Sequence, residues 1–165
     1  MAGDDEFSLF FAAEYPALVR TVTLVLHDRA RAEEIAQDAF VQLLRRWAKV
    51  CRYESPGAWV RRVAIRLAVR DANRERRLAQ LRPRLRSVDE APALNPSLDV
   101  DLMAAIKSLP PRQRSVIVLF YYEDRPMEDI ARILDCSPST GWVHLHRARK
   151  RLGALLTEEV GNDVH

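Results

Sequence analysis

The sequence predicts an all-α protein: two small helical domains joined by a flexible linker, the second containing a helix-turn-helix. Three observations carry this expectation. Glycine is scarce, five among 165 residues, and no strand-like alternation of β-branched residues recurs. Leu, Ala, Arg and Glu dominate, and these residues lose little on entering a helix. Near the middle, Leu78 to Pro96 breaks the apolar periodicity with Pro83, Pro92, Pro96 and the acids Asp89 and Glu90, the composition of a tether. The expected division is a first domain over 1–77, a linker over 78–97, a second domain over 98–157 and a frayed tail over 158–165.

Within the first domain, Asp28 is placed to cap a helix whose apolar positions are Ile35, Ala39, Phe40, Leu43 and Trp47. Their spacings of three and four make one face. The pattern breaks over Ala48 to Glu54 and restarts at Ser55-Pro56, with Ser as cap and Pro at the first helical position. The helix that follows, Gly57 to about Arg77, carries Val60, Val63, Ala64 and Leu67 on one face. The second domain opens with Leu98 to Ile106. Pro110-Pro111 ends one helix and starts the next, which continues from Ser115 to Tyr122. Pro126 opens the last pair of helices. Ile130, Ala131 and Leu134 pack the first of them, small Ala131 permits close approach of the second, Asp135-Cys136 makes the turn, and Ser137-Pro138 caps the second.

Charge is segregated. The formal net charge is only +3, yet Met1 to Glu14 holds four acids and no base, Arg61 to Arg86 holds ten arginines against two acids, and Ser87 to Asp101 holds four acids and no base. Such clustering points to a polyanionic partner more strongly than the net charge does. Arg62, Arg66 and Arg70 lie four apart and form a stripe that Arg74 and Arg77 extend. Like charges at that spacing repel by a few tenths of a kcal/mol per pair, so a helix that accumulates them is better explained by phosphate contact than by a solvated face. Between the two helices, Trp47, Lys49, Arg52, Tyr53 and Trp59 mix aromatics with cations as stacking platforms for unpaired bases do. Both tryptophans read better as core, leaving Arg52 and Tyr53 as strand contacts. The helix after Ser137 presents Thr140, Trp142, Val143, His146, Arg147 and Lys150, suited to a major groove with its basic end on phosphates. The bland alternative is a structural helical hairpin with a basic tail. Glu33, Glu34, Gln37 and Asp38 form an acidic shoulder, which serves either first-turn electrostatics and solubility or the docking of a basic partner.

Other classes are disfavoured. Cys51 and Cys136 are far apart and lack metal-ligand spacing, so they read as free thiols. No apolar run is read as approaching the roughly 18 residues of a membrane span, and the acidic start does not read as a signal peptide, so a cytoplasmic protein is expected. There is no phosphate-cradling glycine loop, no nucleophile elbow and no His/Glu metal pair. No catalytic residue, metal or cofactor is assigned.

Taken together, RARAEEIAQDAFVQLLRRW, SPGAWVRRVAIRLAVRDANRERR and LPPRQRSVIVLFYYEDRPMEDIARILDCS, followed by the Leu145 to Ala148 run, resemble the extracytoplasmic-function (ECF) sigma factors of bacterial RNA polymerase, of the sigma-70 family, nearest to the actinobacterial SigE-like subgroup. The resemblance implies a dissociable transcription initiation subunit without catalysis. Its first domain would bind the clamp helices of the polymerase largest subunit through Glu34, Gln37 and Asp38. The same domain would recognise and help open the −10 element through Arg52, Tyr53, Arg62, Arg66, Arg70 and Arg74. Its second domain would sit under the flap of the other large subunit and read the −35 element through Thr140, Trp142, Val143, His146, Arg147 and Lys150. Partners would be core polymerase, promoter DNA and, as in many relatives, an anti-sigma protein wedged between the domains. The chain departs from the family pattern at Arg66 (often Asn), Arg70 (polar or acidic), Asp135 (usually Gly), Gly141 (usually apolar), and Trp142 and His144 (usually basic). Loss of the side chain at Gly141 is expected to thin the packing between the paired helices. Trp142 would then either read a thymine methyl or fill that space, with contact favoured. The competing readings are a stand-alone helix-turn-helix regulator and, less favoured by the arginine-rich segment, a helical adaptor that binds only proteins.

Overall fold

The computed structural model describes residues 2–81 and 98–162, and every regular element among them is helical. The first bundle comprises α1 (Ala2–Leu26), α2 (Arg29–Val50) and α3 (Pro56–Leu81). The second comprises α4 (Leu98–Ser108), α5 (Pro111–Ile117), α6 (Met127–Leu134) and α7 (Pro138–Asn162). α5 runs on into a π-helical turn, Val118–Tyr122.

The helix starts follow their capping residues. The Asp28 side chain accepts from the Arg31 backbone N–H at 3.1 Å, Ser55 Oγ accepts from Ala58 N–H at 3.1 Å, and Ser137 Oγ accepts from Thr140 N–H at 3.1 Å. α2 buries Ile35, Ala39, Phe40, Leu43 and Trp47, the face its spacing predicts. α3 runs four residues past its expected end because no breaker intervenes before Pro83. The remainder of the expected linker, residues 82–97, lies outside the described residues, as do 163–165 of the expected tail. α7 continues as helix to Asn162, so most of that tail is helical.

α1 corrects the expectation that no apolar run is long enough for a membrane span. Gly3–Leu26 meets that test by length and composition, because a mean over many residues absorbs its few acids. The structure uses this apolar character inside the bundle. Leu18, Val19, Val22 and Val25 are buried. Phe7 meets Trp47 edge-on with centroids 5.3 Å apart, and Phe11 meets Phe40 in the same way at 4.9 Å.

A second difference concerns α3. One apolar face was expected, made by Val60, Val63, Ala64 and Leu67. Val60 and Ala64 are buried, but so are Ile65, Ala68 and Val69, while Val63 and Leu67 are only half-buried. The cause is that α3 packs against α1 and α2 on one side and α5 and α6 on the other. The buried residues of both bundles, including Val22, Ile65, Leu119 and Ile130, form one continuous hydrophobic cluster. Two bundles are present as expected, but they are closed onto each other.

Candidate nucleic-acid interface

The helix-turn-helix is built from local rules. α6 stops at Asp135, whose φ of 56° and ψ of 49° are left-handed. Asp tolerates that conformation where most side chains do not. The Cys136 N–H then donates to Ala131 O at 3.0 Å, closing the helix end. Gly141, Leu145 and Ala148 of α7 are buried, at spacings of four and three. The opposite face therefore looks outward, and Thr140, Trp142, Val143, His146, Arg147 and Lys150 are all exposed. The Thr140 hydroxyl also shares a 2.9 Å hydrogen bond with Ser137 Oγ, which fixes its rotamer at the start of the helix.

Gly141 does not thin the packing, contrary to expectation. A Cβ at this position would lie 2.4 Å from Met127 Sδ, so the thioether already fills the notch the glycine leaves. A flexible unbranched side chain suits such a gap. Trp142 is consequently not needed as filler. It remains 49 % exposed, its ring meeting Phe120 edge-on at 5.9 Å. His144, between the outward positions, is half-buried, and burial with the nearby charges of Arg112 and Arg147 lowers its pKa below the usual histidine value.

The arginine stripe of α3 is divided by the structure. Arg62, Arg70 and Arg74 are exposed and make no ion pair among the described residues. Arg66 is not free as expected. Its guanidinium donates to Ile133 O at 3.2 Å and Arg132 O at 3.4 Å, and lies 3.5 Å from the Asp135 carboxylate. The physical reason is the C-terminus of α6, where unpaired carbonyls and the helix dipole favour a cation. Arg61, not singled out in the sequence, donates to Glu123 Oε1 at 2.8 Å. Arg52 and Tyr53 are exposed on the turn between α2 and α3.

On α2, Glu34, Gln37 and Asp38 are exposed. Glu34 lies 3.8 Å from Arg31, which is itself paired with Asp71, and Gln37 Nε2 donates to the Tyr15 hydroxyl at 3.4 Å. Beside these acids stand Val41 and Leu44, 46 % and 52 % exposed, which sequence reasoning missed. The signal was available: both fall outside the core set of α2, Val41 one turn and Leu44 two turns on from Gln37 and Asp38. Exposed apolar side chains rimmed by acids are what a protein-docking surface needs. Also missed was an aromatic cluster on the second bundle. Tyr121 and Tyr122 are exposed, the Arg149 guanidinium lies 5.5 Å from the Phe120 and Tyr121 ring centroids, and its Nε donates to the Tyr121 hydroxyl at 2.6 Å.

Cys51 and Cys136 are free and half-buried. Among the described residues, no three His, Cys, Asp or Glu side chains converge as metal ligands would.

Comparison with known proteins matches this arrangement on both halves. Residues 10–78 match the family model for sigma-70 region 2, and residues 99–152 match that for sigma-70 region 4. The chain is similar to an RNA polymerase sigma-E factor of Streptomyces avermitilis, 31% identical over 150 residues that cover 89% of this chain and 83% of the relative. It is also similar to the RNA polymerase sigma factor CarQ of Myxococcus xanthus, 29% identical over 163 residues covering 93% and 91%. Among solved structures it is similar to the sigma factor RpoE of Bartonella quintana, crystallised with the anti-sigma factor NepR, with a TM-score of 0.69, 28% identity and coverage of 92% of this chain and 97% of that one. With region 2 on the first bundle and region 4 on the second, this chain belongs to the sigma-70 family of RNA polymerase sigma factors, in its extracytoplasmic-function group.

Proposed function

We propose that this chain is the promoter-recognition subunit of a bacterial RNA polymerase, acting in the cytoplasm and without catalysis of its own. The first bundle docks core polymerase through Glu34, Gln37 and Asp38, with Val41 and Leu44 adding apolar contact. Its −10 surface is made by Arg52, Tyr53, Arg62, Arg70 and Arg74, joined by Arg66 once that side chain leaves α6. The second bundle lays the start of α7 in the major groove of the −35 element. There Thr140, Trp142, Val143 and His146 meet base edges, and Arg147 and Lys150 hold phosphates. An anti-sigma protein is a further partner class that the two-bundle architecture accommodates.

The observation that carries the reading is the outward set on α7. Six side chains fit for a groove are exposed together on a helix seated by Gly141, Leu145 and Ala148. The test is reconstitution. The purified chain is mixed with core polymerase, and the promoters that are bound and transcribed are sequenced. A shared pair of motifs about one and three helical turns upstream of the start sites supports the reading. Transcripts whose starts share no motif refute it.

A further inference from the structure

Of the outward set on α7, only Trp142 has an aromatic partner among the described residues. Its ring meets Phe120 with centroids 5.9 Å apart and an interplanar angle of 69°. Phe120 belongs to the π-helical turn Val118–Tyr122 and is half-buried. The turn is wide. The Glu123 N–H donates to Val118 O, five residues back, at 3.1 Å, and the Arg125 N–H to Leu119 O, six back, at 3.1 Å. Val118 and Leu119 are buried, while Phe120 and Tyr121 reach side chains of α7. Phe120 also meets Tyr121 edge-on at 5.0 Å. Arg149 closes the group. Seven residues on from Trp142, it lies two turns along the same flank of α7. Its guanidinium stands 5.5 Å from both the Phe120 and the Tyr121 centroid, and its Nε donates to the Tyr121 hydroxyl at 2.6 Å.

This arrangement bears on how an indole reads a base. Trp142 turns about two side-chain bonds, and at 49 % exposure α7 alone does not choose among its rotamers. Gly141 beside it offers no side chain to lean on, and the space there is taken by Met127. The Phe120 edge is what restricts the ring. Apolar contact with a thymine methyl discriminates between base pairs only when the contacting group is held in place. The guanidinium over Phe120 and Tyr121 holds those two rings in turn.

We propose that Phe120 is a positioning residue for promoter choice: its ring, held by Arg149 and Tyr121, fixes the Trp142 indole and so sharpens selection at one −35 base pair. Phe120 acts through Trp142 and not on DNA directly. This inference deepens the sigma-factor reading and rests on it, and its test separates the two.

The full-length chain is reconstituted with core polymerase, and single-base variants of a selected −35 element compete for the holoenzyme. The position read is the one whose preference Trp142→Ala relaxes. Phe120→Leu is expected to reduce that preference about two- to tenfold, leaving other positions and the salt dependence unchanged. Phe120→Tyr keeps the ring and is expected to keep the preference. In a Trp142→Ala background, Phe120→Leu is expected to change nothing further, because the residue it acts through is gone. Arg149→Lys keeps the charge and loses the planar stack, and is expected to reduce the preference about twofold. It decides the matter should Phe120→Leu misfold. The free chain labelled with fluorotryptophan gives a second readout. Of its three tryptophan resonances, the one lost in Trp142→Phe is expected to shift in Phe120→Leu while the other two stay in place. A uniform loss on all sequences, the same effect with and without Trp142, or an unmoved resonance overturns the proposal. An unaltered holoenzyme with no −35 preference defeats the sigma-factor reading itself. One that selects, while Phe120→Leu selects as sharply, defeats only the positioning role.

Discussion

Gly141→Ala tests whether the recognition helix is seated by the glycine notch. The new Cβ would lie 2.4 Å from Met127 Sδ and 3.4 Å from its Cγ. Carbon contacts are comfortable at about 3.5–4.0 Å, so the thioether or the helix must move by about 1 Å or more. Met127 is 2 % exposed, with little open space to move into. Overpacking of this kind costs about 1–3 kcal/mol, and replacing a helical glycine with alanine returns about 1 kcal/mol. The net expectation is a destabilisation of about 0–2 kcal/mol. The sharper reading comes from a double-mutant cycle in urea. Met127→Ala alone should cost about 2–5 kcal/mol through its cavity. In that background the clash is gone and the added methyl partly fills the void, so Gly141→Ala should become stabilising. A coupling of about 1–3 kcal/mol follows. If Gly141→Ala has the same effect with and without Met127, the notch is not what seats α7.

Three further outcomes follow from the same structure. Replacing Arg62, Arg70 and Arg74 together with Ala should lower the salt dependence of promoter binding by the holoenzyme, reducing the slope of log affinity against log salt by about 2–3, since each phosphate contact contributes roughly 0.9; an unchanged slope would remove these residues from the DNA face. Trp142→Ala should cost about 1–3 kcal/mol on the preferred −35 sequence and relax preference at one base pair, read by competition among single-base variants; a uniform loss on all sequences would make Trp142 structural. Burial, helped by the charges of Arg114 and Lys107, lowers the pKa of His27 from 6.5 to about 4. Between those values the unfolded chain binds a proton that the folded chain refuses, so stability falls as pH drops through that window, by about 1–3 kcal/mol after allowance for partial exposure. His27 has a φ of 56°, so His27→Asn, which tolerates left-handed backbone, should flatten that part of the stability profile measured by urea midpoints at pH 7 and pH 5.

Local rules made much of this protein legible. Asp28, Ser55 and Ser137 announce helix starts because a side-chain oxygen satisfies a nearby backbone N–H, an interaction three residues long. The same locality exposes the helix-turn-helix, from Ile130 and Leu134 through left-handed Asp135 to the outward face of α7. What escaped depends on distance along the chain. Glu123 meets Arg61 across 62 residues and Thr21 across 102, and periodicity within one helix carries no trace of either partner. Arg66 fits an arginine stripe by spacing, yet its position is set by the carbonyls of α6, a helix more than sixty residues away in sequence. The Met127–Gly141 fit was hidden for a related reason. A glycine in a helix reads as a missing side chain until the neighbour that fills its space is known.

The central claim is that the first bundle carries separate faces for enzyme and DNA, carboxylates on α2 and guanidinium groups on α3. Its most direct test is quantitative binding of a selected promoter by the chain alone and with core polymerase, for the unaltered protein and for Glu34→Lys combined with Asp38→Lys. Tight, sequence-specific binding that requires core, and that the double charge reversal abolishes by removing core association, is the predicted result. Specific binding by the free chain that is indifferent to the reversal would contradict it, and would mark a regulator that works without polymerase.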